Sequence, residues 1–447
     1  MSKKFQSKLT LETYDAKTGE LCDRAEATNF VGQATIRHMK WLQRGLYRYY
    51  LSNAGGTDSD AIAPPGPLNS VFLTDSPMAE DAANEYCFPG AMLGWASSEA
   101  TYAGADSLRG TPNTTTLDAQ TGYTKWVFDW PTNAANGTIR SVGFGLTAVT
   151  DSIGGSPSRT LVHQAGSVEQ VWSTPSFWNY FARANSSQAF AQTSGTNVSV
   201  LDASYAQTTT FSVAAQFSSI TGLAWDSGNS RLWIIGTSGA NKVIAAYNAS
   251  GVLQTGPFTL TNRTYGYLAF DGTNLWSCVQ TSGSSNVTLY QINPTNGTDI
   301  TNFTTTLPGT DSNYRMSGLC YEPTYQRIWL KLSTITQTTG SDYRRAFLRS
   351  FNTAGNVQTP DVSLNPVDMT STAITHLYSP STNSSSIYTQ DFDIIDAYQF
   401  AMPTNWNSIN RIARFRPSGL FTRALLGAPV VKANTQTLRL IYQVNYV

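Results

Sequence analysis

Charge is scarce in this sequence, and its two signs cancel. Only 13% of residues are Asp, Glu, Lys or Arg, 29 of each sign, where ordinary domains carry ~25%. A chain without excess charge has little pull on nucleic acid. No basic run interleaved with aromatics occurs either, so no nucleic-acid partner is expected. Weak charge also means weak colloidal repulsion, which a subunit of a permanent assembly tolerates better than a free monomer.

Cysteine and histidine are equally sparse. Cys22, Cys87, Cys278 and Cys320 are too dispersed for Cys-x-x-Cys metal spacing or a dense disulfide framework, and four buried or half-buried free thiols are expected. His38, His163 and His376 form no His-x-x-x-His pair and have no Glu beside them, so each is expected to be structural and no metal is expected. With three histidines, no Gly-x-Ser-x-Gly elbow and no glycine-rich loop leading into Lys-Ser/Thr, neither a nucleophilic triad nor a phosphate cradle is expected. The expectation is a protein that is not an enzyme and carries no cofactor. No apolar run approaches the ~20 residues of a membrane span, and Met1 to Lys8 lead into polar sequence without the apolar core of a secretory signal. Synthesis in a cytoplasm is expected.

What is present is aromatic and turn-forming. Eleven Trp, 22 Tyr and 20 Phe supply surface to bury, and 34 Gly with abundant Ser, Thr and Asn supply turns. At 447 residues, two domains are the natural expectation, both mostly β. Lys8 to Tyr14 alternates as a strand, and Asp15-Ala-Lys-Thr-Gly19 reads as a hairpin turn. Asn29 then caps an expected helix whose apolar side carries Ile36, Met39, Leu42 and Leu46, with Lys40, Arg44 and Arg48 opposite. Strands are expected at 70–73, 123–129 and 138–145, the last after the turn-forming pair Asn136-Gly137. A Gly/Ser/Pro stretch at 152–158 marks a domain boundary.

The middle of the chain repeats. Residues 220–236, 265–279 and 316–332 each read as an apolar strand, a polar turn and a second strand opening on an apolar-aromatic pair: Leu232-Trp233, Leu275-Trp276, Ile328-Trp329. Residues 374–389, with Ile387-Tyr388, are a weaker fourth copy. A third strand and a turn follow the three clear copies: Asn248-Ala-Ser-Gly251, Asn293-Pro-Thr-Asn-Gly297 and Asn352-Thr-Ala-Gly355. The aromatic members lie 43, 53 and 59 residues apart, the period of four-stranded propeller blades stacked on one another. With one or two degenerate blades in the aromatic segment 160–215, about five are expected. The final segment alternates through Leu438, Leu440, Tyr442, Val444 and Tyr446, a strand that must be tied into a sheet. The organisation expected is therefore a β-sandwich-like anchoring domain from residues 1–155 with 408–447, carrying one helix and formed by both chain ends. A β-propeller-like domain, 160–405, is inserted into it.

The terminal segments resemble those of bacteriophage tail and baseplate structural proteins. The likeness rests on Asn29 leading into a helix, on Ala135-Asn-Gly-Thr-Ile-Arg-Ser-Val-Gly-Phe144 before a strand, and on the closing segments Arg423-Ala-Leu-Leu, Pro429-Val-Val-Lys432 and Thr435-Gln-Thr-Leu-Arg-Leu-Ile-Tyr442. It covers residues 5–150 and 411–447; the long insertion has no counterpart in simpler members. The resemblance implies a virion component, acting by assembly with other tail proteins as a homo-oligomeric ring or trimer. The alternatives are a tail protein whose propeller binds a host receptor or surface glycan, and a glycan-degrading enzyme.

Hydrolysis of glycans needs two carboxylates ~5–9 Å apart. The densest acidic cluster is Asp391-Phe-Asp-Ile-Ile-Asp396, in which Asp391 and Asp393 are expected to share the solvent face of a strand while Phe392 and Ile394 pack inward. Cation binding and catalysis are the rival readings there. Asp226, Asp271 and Glu322 occupy one point of successive repeats and are expected to accept backbone N–H bonds in turns. Trp233, Trp276 and Trp329 suit sugar stacking chemically, but their fixed strand position predicts blade core.

Overall fold

The computed structural model describes residues 5–28, 30–31, 70–80, 91–97, 101–148 (except 106, 117, 121–122 and 146), 163–174, 179–306 (except 281–283 and 285), 314–334, 346–358, 361–366 and 391–446 (except 397–398, 407–408 and 418–419). These residues form β-strands and turns, with no helix among them. The helix expected after Asn29, the boundary at 152–158 and the fourth repeat copy all lie outside the described residues.

The chain starts with β1 (Phe5–Asp15), β2 (Leu21–Ala27), β3 (Phe30–Val31), β4 (Ser70–Thr74) and β5 (Met92–Ser97). It continues through β6 (Thr111–Pro112), β7 (Asp118–Gln120), β8 (Tyr123–Trp130), β9 (Gly137–Gly145) and the short β10 (Thr147–Ala148). β1 folds back on β2 through the expected turn, because the Asp15 carboxylate accepts the N–H groups of Lys17 and Thr18, both at 2.8 Å. Leu9, Leu11 and Thr13 are fully buried on one face of β1. On the other face Glu12 is also buried, covered by Tyr14, whose hydroxyl donates to it at 2.6 Å, and by Arg24 at 3.5 Å.

β11 (His163–Thr174) opens the central part. The first meander is β12 (Phe181–Arg183), β13 (Ala189–Ser194), β14 (Asn197–Leu201) and β15 (Gln207–Ser212). The second is β16 (Ser219–Asp226), β17 (Arg231–Ser238), β18 (Asn241–Tyr247) and β19 (Leu253–Thr259). The third is β20 (Gly266–Phe270), β21 (Leu275–Gln280), β22 (Asn286–Ile292) and β23 (Asp299–Thr306). The fourth is β24 (Tyr314–Glu322), β25 (Arg327–Thr334), β26 (Ala346–Phe351) and β27 (Asp361–Pro366). The last comprises β28 (Asp393–Asp396), β29 (Gln399–Trp406) and β30 (Ile409–Pro417), with β11 as its outer strand, antiparallel to β30. The first strands stand side by side in order, β12 by β16, β16 by β20, β20 by β24 and β24 by β28, and β28 returns to β12. Five groups of strands thus follow one another around a ring, the fourth and the last joined into a single sheet by the parallel pairing of β11 with β27.

The chain then leaves through β31 (Leu420–Lys432) and β32 (Gln436–Tyr446). β32 lies between β1 and β8 in a sheet of order β2-β1-β32-β8-β6, with β7 also on β8. β31 joins a second sheet of order β3-β31-β9-β4-β5. Leu9, Leu11, Phe128, Leu438 and Leu440 of the first sheet share one buried cluster with Val71, Leu73, Val142, Phe144 and Val430 of the second. Phe144 stacks on Tyr442 across the gap, with ring centroids 4.2 Å apart. Each such side chain contributes ~1.5–3 kcal/mol on burial, so this cluster holds both ends of the chain in one terminal module.

One boundary moves. Residues 409–417 were expected in the terminal module, but β30 pairs with β29 and β11 in the last ring sheet, where Ile412 is fully buried. The physical reason is strand supply. Three strands arrive from the C-terminal side, and the fourth has to come from β11, far back in the sequence.

Neighbouring sheets interlock through a repeated contact. The turns after β18, β22 and β26 place Gly251, Gly297 and Gly355 at φ 81, 75 and 86. A Cβ on each would lie 2.5 to 2.8 Å from Phe211, Phe258 or Phe303, on the outer strand of the preceding sheet. The glycine therefore serves both backbone and neighbour: it takes the left-handed conformation and lets an aromatic ring rest on the turn. The first meander differs. Tyr205 takes the left-handed place at φ 58, and its side chain, 4% exposed, packs with Phe181, Ala401 and Ile412 where the first and last sheets meet.

Candidate functional site

The acidic cluster singled out in the sequence lies at the hub of the ring. Asp391 and Phe392 lead into β28, which is flanked by β24 on one side and β12 on the other. With both sides occupied, alternation no longer separates a wet face from a dry one. Asp391 is fully buried and Asp393 half-buried, so the expected shared solvent face is corrected; Phe392, 1% exposed, does pack inward.

The two carboxyls reach in opposite directions. Asp391 Oδ1 accepts the Leu319 N–H of β24 at 3.2 Å and its neighbour Phe392 N–H at 3.0 Å. Asp393 Oδ2 accepts the Arg183 N–H of β12 at 2.6 Å, while Arg183 Nη1 donates to the carbonyl of Ile395 at 3.1 Å. The Asp391 N–H itself donates to the Asn179 carbonyl at 3.1 Å. Gly318 makes the approach possible, since a Cβ there would lie 2.5 Å from the Phe392 ring and 3.1 Å from Asp391 Oδ1. Asp391 thus fastens the last sheet to the fourth, and Asp393 fastens it to the first.

Burial sets the electrostatics. Loss of solvation pushes the Asp391 carboxyl well above the usual carboxylate range, and the Asp393 carboxyl up to about 6. It pulls the Lys331 ammonium down to about 8, with Asp391 acting in the opposite sense. Tyr180 is raised to about 12, and Tyr267 and the thiols of Cys278 and Cys320 are raised by the same cause, with Asp391 adding to each. Asp391 Oδ2 is buried without a hydrogen-bond partner. A neutral carboxylic acid at this point costs far less than an ion would. The arrangement suits a clasp: a carboxyl with no solvent contact does not meet a substrate in this conformation.

The other acidic candidates sit in turns. Asp226 Oδ1 accepts the Asn229 N–H at 3.0 Å, and Oδ2 pairs with Arg231 Nε at 2.8 Å. Glu322 accepts the N–H groups of Thr324 and Tyr325. Asp271 accepts those of Thr273 and Asn274 and, with its second oxygen, the indole N–H of Trp276 at 2.7 Å. Trp233, Trp276 and Trp329 are at most 1% exposed and face Ala224, Ala269 and Cys320 across equivalent hairpins. The Trp233 and Trp329 indole nitrogens are buried without partners. Only the shorter turn of the third meander brings its carboxylate to the indole.

His38, His376 and Cys87 lie outside the described residues, and His163 opens β11. Cys278 and Cys320 are buried free thiols, but Cys22 is exposed, on the open face of edge strand β2, which corrects the expectation of burial for all four. Among the described residues no group of three His, Cys, Asp or Glu is arranged to hold a metal ion. Sequence reasoning missed Lys331. Its signal was a lysine inside the apolar run Ile328-Trp-Leu-Lys-Leu332, paired with Gly318 where the second and third meanders have Ile235 and Cys278.

No known protein family matches the sequence, and no curated protein does. Among solved structures, a hydrazine synthase of Kuenenia stuttgartiensis is 12% identical, with 57% of this chain and 78% of that chain covered and a TM-score of 0.31. Virginiamycin B lyase from Staphylococcus aureus is 9% identical over 56% of this chain and 99% of that one, with a TM-score of 0.31. A chain of a mitotic checkpoint complex is 13% identical over 81% and 98%, with a TM-score of 0.30. Likeness at this level identifies neither a family nor an activity.

Proposed function

We propose that this chain is a structural subunit of a bacteriophage virion, in the tail or baseplate, and that it acts by assembly. In this reading the two sheets of the terminal module are a β-sandwich that anchors the subunit among other tail proteins, as a homo-oligomeric ring or trimer. The ring of five strand groups is a β-propeller looped out of that anchor, serving as spacer or host-contact module.

One observation carries the reading. β1 and β32 pair without interruption from Phe5 opposite Tyr446 to Asp15 opposite Gln436, and β9 and β31 pair in the second sheet. Strands β1 to β9, β31 and β32, all within the segments that resemble phage tail proteins, therefore belong to one folded unit, as an anchor with an insertion requires. The near-zero net charge and low charge content support a permanently assembled subunit. Mass spectrometry of purified virions, with copy counting, tests the proposal. A fixed stoichiometry matching a ring or trimer is expected, and absence from mature particles would refute it.

A further inference from the structure

We propose that a cleft at the tip of the terminal module binds a neutral saccharide. β9 and β31 connect to the ring near Gly145 and Leu420, which face each other across the sheet, and their far ends are Gly137 and Lys432. Beyond those far ends, the β1–β2 turn, the segment before β6, the end of β8 and the start of β32 enclose a cleft of about 730 Å³. That size is typical of small-molecule sites, which span ~300–1,000 Å³. The position leaves the cleft on the side of the module away from the ring connections.

The lining has the chemistry of a sugar site. Tyr14, Tyr102 and Trp130 line the cleft, Trp130 only 1% exposed. The Arg109 guanidinium, 2% exposed, stacks 3.7 Å from the Trp95 ring centroid and 5.1 Å from that of Tyr102, which holds the Tyr102 ring in place before any ligand arrives. Asp129 accepts Arg439 Nε at 2.8 Å through Oδ1, and through Oδ2 it accepts Arg439 Nη2 at 3.3 Å and Asn113 Nδ2 at 2.6 Å. The charged residues of the lining are Asp15, Asp129, Arg109 and Arg439, so its charge sums to zero. A carboxylate beside a guanidinium offers acceptors and donors together. Vicinal hydroxyls, each both donor and acceptor, match that pattern, while the aromatic faces take the apolar side of a pyranose ring. An anionic or cationic ligand would unbalance a lining already matched.

The test is titration of the full chain against a panel of neutral and anionic glycans, followed by calorimetry on the hits. Binding to a neutral glycan is expected. Tyr102→Ala should weaken it by about tenfold or more. Asn133→Ala, at an exposed rim position, should weaken it by about threefold or more with the melting temperature unchanged. No binding to any neutral glycan, binding to anionic glycans alone, or full-strength binding by both variants overturns the proposal. If Tyr102→Ala fails to fold, Asn133→Ala decides. Virion composition is measured separately, so this site stands or falls apart from the assembly reading.

Discussion

Replacing Gly251 with alanine tests the repeated contact between ring sheets most directly. Two costs add. At φ 81 an L-residue adopts the left-handed conformation at ~1–2 kcal/mol. The new Cβ would also meet Phe211 Cγ at 2.5 Å and its Cβ and Cδ2 at 2.6 Å. Overpacking of this kind costs ~1–3 kcal/mol, because the near end of a ring cannot swing aside as a flexible tip can. The total expected is ~2–5 kcal/mol. Gly239 supplies the control: it has φ 59 with nothing within 4 Å of an added Cβ, so Gly239→Ala should cost the conformational part alone, ~1–2 kcal/mol. Urea denaturation of both variants, followed by tryptophan fluorescence, gives the difference. A second arm, Phe211→Ala with Gly251→Ala, should recover part of the loss, because it removes the ring that clashes. Equal destabilisation by Gly251→Ala and Gly239→Ala would refute the interlocking role of the turn.

Other expectations are more compact. Because the folded Asp393 carboxyl titrates at about 6, above its usual 3.8, the folded chain holds that proton more tightly than the unfolded one. Its contribution to stability is fully present below pH ~4 and is lost as pH rises through about 6; Asp393→Asn should flatten denaturation midpoints across that window. Asp271→Ala removes the acceptor for two turn N–H groups and the Trp276 indole, and should cost ~1–3 kcal/mol in thermal or urea unfolding. A thiol reagent applied to the folded chain should label Cys22 at once, whereas Cys278 and Cys320 should react only after denaturation. Peptide mapping distinguishes the three.

Local signals in the sequence were sufficient for the repeated hairpins. Strand, turn and apolar-aromatic pair recur at Trp233, Trp276 and Trp329, and each strand boundary follows from residues a few positions away. The terminal strand was legible for the same reason, as period-two alternation from Leu438 to Tyr446. Closure of the ring was not. The partner of β30 is β11, so Arg411 to Arg416 read as the start of a new domain when they are the third strand of an old one. Tyr205 carries no local mark of its left-handed turn, since the other turns use glycine there. Asp391 was placed on a wet face because alternation assumes one face of a strand meets solvent. At the hub that assumption fails, and only the crowding of β12, β24 and β28 reveals it.

The place of β32 has a consequence for how the chain comes into being. The strand between β1 and β8 in the first sheet is translated after every other described strand. Until it emerges, β1 and β8 have no common neighbour, and Leu9, Leu11 and Phe128 lack the Leu438, Leu440 and Tyr442 that cover them. The ring strands are translated within that interval, so its sheets have the opportunity to form while the first half of the terminal module waits with its edges open. Open edges and exposed apolar side chains invite association with other nascent chains. Synthesis thus allows the ring to close before the module that surrounds it, which has to wait for β32.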